Sequence, residues 1–208
     1  VISSGSGNVY TSSNLASYVK VSTGVSTTLF NNVVYQFGVF VVVGKNGALA
    51  SSTSGAASSW TSVTGASADL NNVRVVSLNS VTNLLVVGTN GLVLKSTDGL
   101  NWSSVSMPAN SGVLYDVAQS GASTVITSAN GTALISTDSL ASVSKAGVQR
   151  LANCAYGSGK YVAVGNDSRL LYSSDALVWF ATQTTQSFYK AVAFSASSFV
   201  AAGLGGIS

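Results

Sequence analysis

The chain has 208 residues, 46% of them hydrophobic and only 7% charged, the reverse of the composition that keeps a chain disordered. Nine Lys and Arg stand against six acidic residues, all Asp, for a net charge of +3. The basic residues are scattered singly, too thinly to neutralise a nucleic-acid backbone. With no His and one Cys, Cys154, an internal disulfide, Ser-His-Asp catalysis and the usual Cys/His zinc sites are excluded.

From its start the chain runs strand, turn, strand and Ser-rich corner over residues 1–14. The same order returns from Val41, Leu85, Val125 and Tyr161 and begins again at Phe199. The period of ~40 residues is that of a four-stranded propeller blade. The strand that opens each copy, termed B, closes on a small residue: Ser4, Gly44, Gly88, Ser128, Gly165 or Gly203. Asn46-Gly47, Asn90-Gly91 and Asn130-Gly131 then fall at one position of the repeat. Asn-Gly between apolar runs predicts a tight hairpin, because both turn residues need positive φ. Strand C follows, then a corner and strand D. A further strand, A, precedes each B at 31–35, 71–76, 114–118, 151–156 and 189–194.

The B strands at 40–43 and 84–87 are apolar on both faces, so both faces must be covered. Radially packed blades do that, whereas a sandwich leaves one face wet; a solenoid is the alternative. The apolar runs have strand length, well short of the ~18 residues of a spanning helix, so no membrane insertion is expected. The expected fold is all-β: a β-propeller of four-stranded antiparallel blades, five or six in number, forming a single domain over 1–208. Strand counting gives B, C and D of a first blade, four complete blades, and then A (189–194) and B (199–203) of another, which favours a segment of a longer chain and leaves a ring of five or of six or more blades.

The corners carry their own pattern: Ser12 with Asn14, Ser52 and Ser54 before Trp60, Ser96 with Asp98, Gly99 and Trp102, Ser136 with Asp138, and Ser173 with Asp175 and Trp179. An Asp or Asn there accepts backbone N–H groups of the turn, and the aromatic covers it. These residues resemble the BNR/Asp-box propellers, and more closely the shortened S-x-D-G-x-x-W form of photosystem II assembly-factor-like and phage-encoded propellers. Ala176 replaces the Gly in one copy, and Ser142 stands at the Trp position in another. The resemblance implies that Asn14, Asp98, Trp102, Asp138, Asp175 and Trp179 are structural corners remote from any active site. Sialidases share this fold, and Arg74, Arg150 and Arg169 invite comparison with their arginine cluster. The chain has no Glu, so the Tyr–Glu pair of that mechanism cannot be assembled.

Outside the corners only Asp69, Asp116 and Asp167 remain as carboxylates; Asp69 and Asp167 read as solvated loop residues, and Cys154 as a small buried hydrophobe. Aligned A strands show a column of Asn32, Asn72, Asp116, Asn153 and Ala191, with Arg74 two residues on and so on the same face as Asn72. Strand A is innermost in a propeller, so Asn32, Asn72, Arg74, Asp116 and Asn153 are the expected ligand site at a channel mouth. The bland alternative is hydrogen bonding to channel water or neighbouring strand ends. Tyr115, Phe188 and Tyr189, near the A-strand ends, with the loop 181–187, form a candidate glycan platform.

No catalytic group, metal or cofactor is expected. The leading expectation is a non-catalytic binding or structural module of a virion, such as a fibre or decoration domain, or of an extracellular surface. Its partners would be other protein chains of a larger assembly. The alternatives are a glycan-binding lectin and an assembly factor that docks on a partner protein; nucleic acid is not expected as a partner.

Overall fold

The structure is a computed structural model describing residues 2–3, 6–26, 29–63, 67–129, 132–147, 150–165, 169–183, 188–204 and 206–207. Its strands follow the chain into six antiparallel sheets. The first holds β1 (Ile2–Ser3), β2 (Asn8–Thr11) and β3 (Val19–Ser22). The second holds β4 (Phe30–Gln36), β5 (Val39–Gly44), β6 (Leu49–Ser52) and β7 (Trp60–Ser62). The third holds β8 (Leu70–Leu78), β9 (Val81–Gly88), β10 (Val93–Ser96) and β11 (Ser103–Ser104). The fourth holds β12 (Leu114–Ser120), β13 (Ser123–Ser128), β14 (Thr132–Ser136) and β15 (Ser144–Gly147). The fifth holds β16 (Leu151–Gly157), β17 (Lys160–Gly165), β18 (Arg169–Ser173) and β19 (Phe180–Gln183). The last holds β20 (Tyr189–Ser195), β21 (Ser198–Gly203) and β22 (Gly206–Ile207). The expected A strands are β4, β8, β12, β16 and β20. β20 pairs with β21 in a sheet of its own and not with β1, so the described strands make six sheets and not five.

By packing, the chain forms two units, Val1–Val76 with Val81–Ser106 and Ser77–Ser80 with Met107–Ser208. In the first, β5 is buried on both faces. Val41 and Val43 join Leu70, Leu84 and Val86 in one cluster, while Val42 joins Val9, Phe30 and Ala50 in another. In the second, β17 does the same: Tyr161 and Ala163 pack with Val125, Ile135 and Leu151, and Val162 and Val164 pack with Tyr189, Val192 and Ala201. A Val, Leu, Ile or Phe side chain buried in this way contributes roughly 1.5–3 kcal/mol relative to exposure. This double burial is why the B strands lack a polar alternation. No helix among the described residues is long and apolar enough to cross a membrane.

The Asn-Gly turns adopt the expected backbone. Asn46 and Gly47 have φ of 56° and 70°, and the Ala48 N–H donates to Lys45 O at 3.1 Å. Asn90 and Gly91 repeat this at 59° and 70°; Asn130-Gly131 lies outside the described residues.

Two devices shape the starts of the A strands. First, the small residue ending strand B presses on the backbone just before strand A. A Cβ added to Gly44, Gly88, Gly165 or Gly203 would lie 2.2, 2.3, 1.9 or 1.8 Å from the carbonyl oxygen of Leu29, Asp69, Arg150 or Phe188. Secondly, the A–B register skips one residue between Phe30 and Asn32, Leu114 and Asp116, Leu151 and Asn153, and Tyr189 and Ala191. Such a bulge leaves the extra residue unpaired and re-aims its side chain.

Candidate functional site

The corners are built from Ser and Asp side chains that satisfy the turn. At Ser96 the hydroxyl accepts the Asp98 and Gly99 N–H groups at 3.2 and 2.8 Å and donates to Asp98 Oδ1 at 2.9 Å. Asp98 Oδ1 accepts the Leu100 and Asn101 N–H groups, both at 2.8 Å, and Oδ2 accepts the Asn101 amide at 2.7 Å. The Asn101 N–H, then the Asn101 side chain, hold the Asp98 carboxyl far below the usual range. Ser142, first through its hydroxyl and then its N–H, holds Asp138 at about 2. The Val178 N–H, followed by that of Leu177, lowers Asp175. Asn14 Oδ1 accepts the Ala16 and Ser17 N–H groups at 2.9 and 3.0 Å.

The residue three after the corner Ser takes positive φ whether or not it is Gly: 60° at Leu15, 74° at Gly99 and 67° at Ala176. The Ser136 corner has one extra residue, so Leu140, with φ 70°, donates to Ser136 Oγ instead. Trp60 Nε1 donates to Gly55 O and Trp179 Nε1 to Ala176 O at 2.8 Å, whereas buried Trp102 Nε1 has no partner among the described residues.

The A-strand column is spent on joining strands. In the first unit Asn32 Nδ2 donates to Asn72 Oδ1 at 2.5 Å, and Arg74 stands half-buried two residues further along β8. In the second, Asn153 Nδ2 donates to Asp116 Oδ2 at 2.5 Å, the Cys154 N–H donates to the same oxygen at 3.3 Å, and Asn153 Oδ1 accepts the Val192 N–H at 2.8 Å. Asp116 is 0% exposed, so its carboxylate is not presented at an open mouth. These bonds run from one A strand to the next. Asp69, expected as a solvated loop residue, instead makes an ion pair with Lys45 at 2.8 Å and accepts the Asn46 N–H of the turn at 2.8 Å. The Lys45 hydrogen bond is the main cause lowering its pKa, the Asn46 N–H the next. The Asp167 and Arg169 side chains lie outside the described residues.

A cleft of about 330 Å³ lies at the starts of the A strands of the second unit. The three bulges supply Tyr115, Ala152 and Lys190 to its lining. Arg150 and Phe188 reach it because their carbonyls sit against Gly165 and Gly203, where a side chain would block the approach. Arg150 Nε donates to Ala129 O at 3.0 Å, which fixes the guanidinium. The Lys190 ammonium lies 5.3 Å from the Phe188 ring centroid, in cation–π range. Leu151, 3% exposed, is the apolar part of the lining. Neither Arg150 nor Lys190 has an ion-pair partner among the described residues. A second hollow, of about 280 Å³, lies beside Trp102 in the first unit and includes Asn83, Lys95 and Asn101.

The expected glycan platform thus contributes Tyr115 and Phe188 to the cleft, while Tyr189 is fully buried in the core. Lys190 and Ala152 were invisible as site residues because bulge positions share no residue type; Arg150 was noted only for a sialidase-like cluster. Among the described residues no group of three or more His, Cys, Asp or Glu is placed to hold a metal ion.

No family model and no curated protein sequence matches the chain. Solved structures do. YCF48 bound to D1 peptide aligns over 86% of this chain and 62% of its own, with 19% identity and a TM-score of 0.64. Sqt1 of Saccharomyces cerevisiae aligns over 97% and 65%, with 11% identity and a TM-score of 0.76. A streptogramin B lyase aligns over 97% and 71%, with 9% identity and a TM-score of 0.81. The chain therefore spans just under two thirds of the length of the first two. At these identities the likeness is one of fold, and the fold is the β-propeller of four-stranded antiparallel blades.

Proposed function

We propose that this chain is a non-catalytic β-propeller module that docks on a protein partner, the role expected here as the assembly-factor alternative. One observation carries the reading: the cleft at the A-strand starts of the second unit brings together the rings of Tyr115 and Phe188 and the guanidinium of Arg150, and aromatic and arginine side chains are the types enriched at protein-binding interfaces. Its described lining residues include no carboxylate, thiol or imidazole to act as base or nucleophile. Among proteins of the same fold, YCF48 has been solved with a peptide bound, which supports the same use of the scaffold here. The virion and lectin roles have no comparable feature in their favour.

A random-peptide display library tests this. Peptides selected by the wild-type protein are expected to lose binding to Tyr115→Ala and Phe188→Ala variants of unchanged melting temperature. Failure to enrich any peptide, or peptides indifferent to both substitutions, would overturn docking at this cleft. Glycan-array binding that depends on Tyr115 and Phe188 would replace it with the lectin reading.

A further inference from the structure

We infer that the cleft takes an acidic peptide segment, an Asp or Glu side chain with an apolar residue beside it; this rests on the docking reading. The argument is charge complementarity. The carboxylates described in the second unit are all committed elsewhere: Asp116 is buried against Asn153, and Asp138 and Asp175 are bound into their own corners. Arg150 and Lys190 therefore line one cleft with no anion beside them among the described residues, and both are exposed to solvent.

The two cations are held differently. Arg150 Nε is occupied by Ala129 O, so the guanidinium plane is oriented while its terminal amines make no hydrogen bond to a described residue. An oriented guanidinium suits a carboxylate, which it grips through two parallel N–H···O bonds. Lys190, over the Phe188 ring, adds a mobile point charge. Tyr115 and Phe188 supply aromatic surface for an apolar neighbour of the carboxylate. The bulges that bring Tyr115 and Lys190 here belong to β12 and β20, with β16 contributing Ala152, so the lining spans three successive A strands. An extended segment lying across the strand starts meets both cations, and at about 330 Å³ the cleft is at the small end of ligand sites, room for a short segment only.

The test uses two pooled dodecapeptide libraries with randomised flanks, one with Glu-Glu and one with Gln-Gln at the centre, and a uronic-acid oligosaccharide as a third probe. The wild-type protein is expected to retain the Glu-Glu pool roughly tenfold more strongly, with the difference shrinking as salt rises from about 0.05 to about 0.5 M. Arg150→Gln and Lys190→Gln are each expected to remove most of that preference, and Lys20→Gln, an exposed cation of the first unit, to leave it intact. Lys190 donates no hydrogen bond to a described residue, so its variant stays informative if Arg150→Gln impairs folding. Equal retention of both pools, still lost in Tyr115→Ala, would overturn the acidic specificity and leave docking standing. Retention of the uronic acid alone, or of no probe, would overturn both.

Discussion

Gly99 sits against Val39 with no space for a side chain: a Cβ at Gly99 would lie 2.7 Å from Val39 Cγ2. The same glycine has φ +74° and donates its N–H to Ser96 Oγ, so one position meets a steric and a conformational demand together. Gly99→Ala is expected to cost about 2–4 kcal/mol, ~1 from the left-handed backbone and the rest from overpacking. Gly121, with φ +54° and nothing within 4 Å, isolates the backbone part, so Gly121→Ala should cost only about 1 kcal/mol. In a Val39→Ala background the Gly99→Ala penalty should shrink, a coupling readable by urea denaturation of the four proteins of the cycle. Strict additivity would show that Val39 is not the obstacle.

Acid should act on the corners. Asp98, Asp138 and Asp175 are held below the ~3.9 of an unfolded-chain Asp, Asp138 at about 2. A folded pKa below the unfolded one means stability that is complete above the unfolded value and lost as pH falls towards the folded one. The melting temperature is therefore expected to fall between about pH 5 and about pH 2. Asp138→Asn should flatten part of that slope by lowering the plateau above about pH 5, because the neutral amide mimics the protonated carboxyl at every pH. An unchanged slope in Asp138→Asn and Asp98→Asn would mean that the corners do not govern acid lability.

The strand-joining column predicts unequal costs. Asn153→Ala leaves the fully buried Asp116 without its amide donor and the Val192 N–H without its acceptor, so a loss of about 2–4 kcal/mol is expected. Asn32→Ala removes one donor from the neutral Asn72 amide oxygen, 8% exposed, and should cost about 1–2 kcal/mol. Peptide binding at the cleft should survive Asn32→Ala. Loss of ligand binding at wild-type stability in either variant would return this column to the role of a ligand site.

Much of the fold was legible because each feature has a local cause. B strands are marked by double burial, the Asn-Gly turns by their need for positive φ, and the strand ends by glycines such as Gly44 that leave room for the Leu29 carbonyl. The corners were legible because Ser96 and Asp98 make nearly all their bonds within the next five residues. The cleft was not, because it is made by bulges. Tyr115, Ala152 and Lys190 fall outside the two-residue alternation, and their shared place follows from register, with no common chemistry to reveal it. The Lys45–Asp69 pair was equally hidden, since two singly scattered charges carry no spacing signal.

The two corner tryptophans Trp102 and Trp179 differ in one hydrogen bond, and the difference is testable. Trp179 Nε1 donates to Ala176 O at 2.8 Å, while Trp102 Nε1 is buried and finds no acceptor among the described residues. An unmet buried donor costs ~1–3 kcal/mol, whereas a made bond contributes ~1 and leaves an orphaned carbonyl when its donor is removed. Trimming either indole to a phenyl ring loses similar packing area, so the nitrogen decides the contrast. For Trp102→Phe, removal of the unmet donor offsets the lost packing, and stability should stay within about 1 kcal/mol of wild type. For Trp179→Phe both effects are unfavourable, and a loss of about 2–3 kcal/mol is expected. Urea midpoints of the two variants, read by far-UV circular dichroism because each removes one of three tryptophans, make the comparison. Equal losses would mean that Trp102 Nε1 has a partner in solution, and a larger loss at Trp102 would reverse the assignment of the two corners.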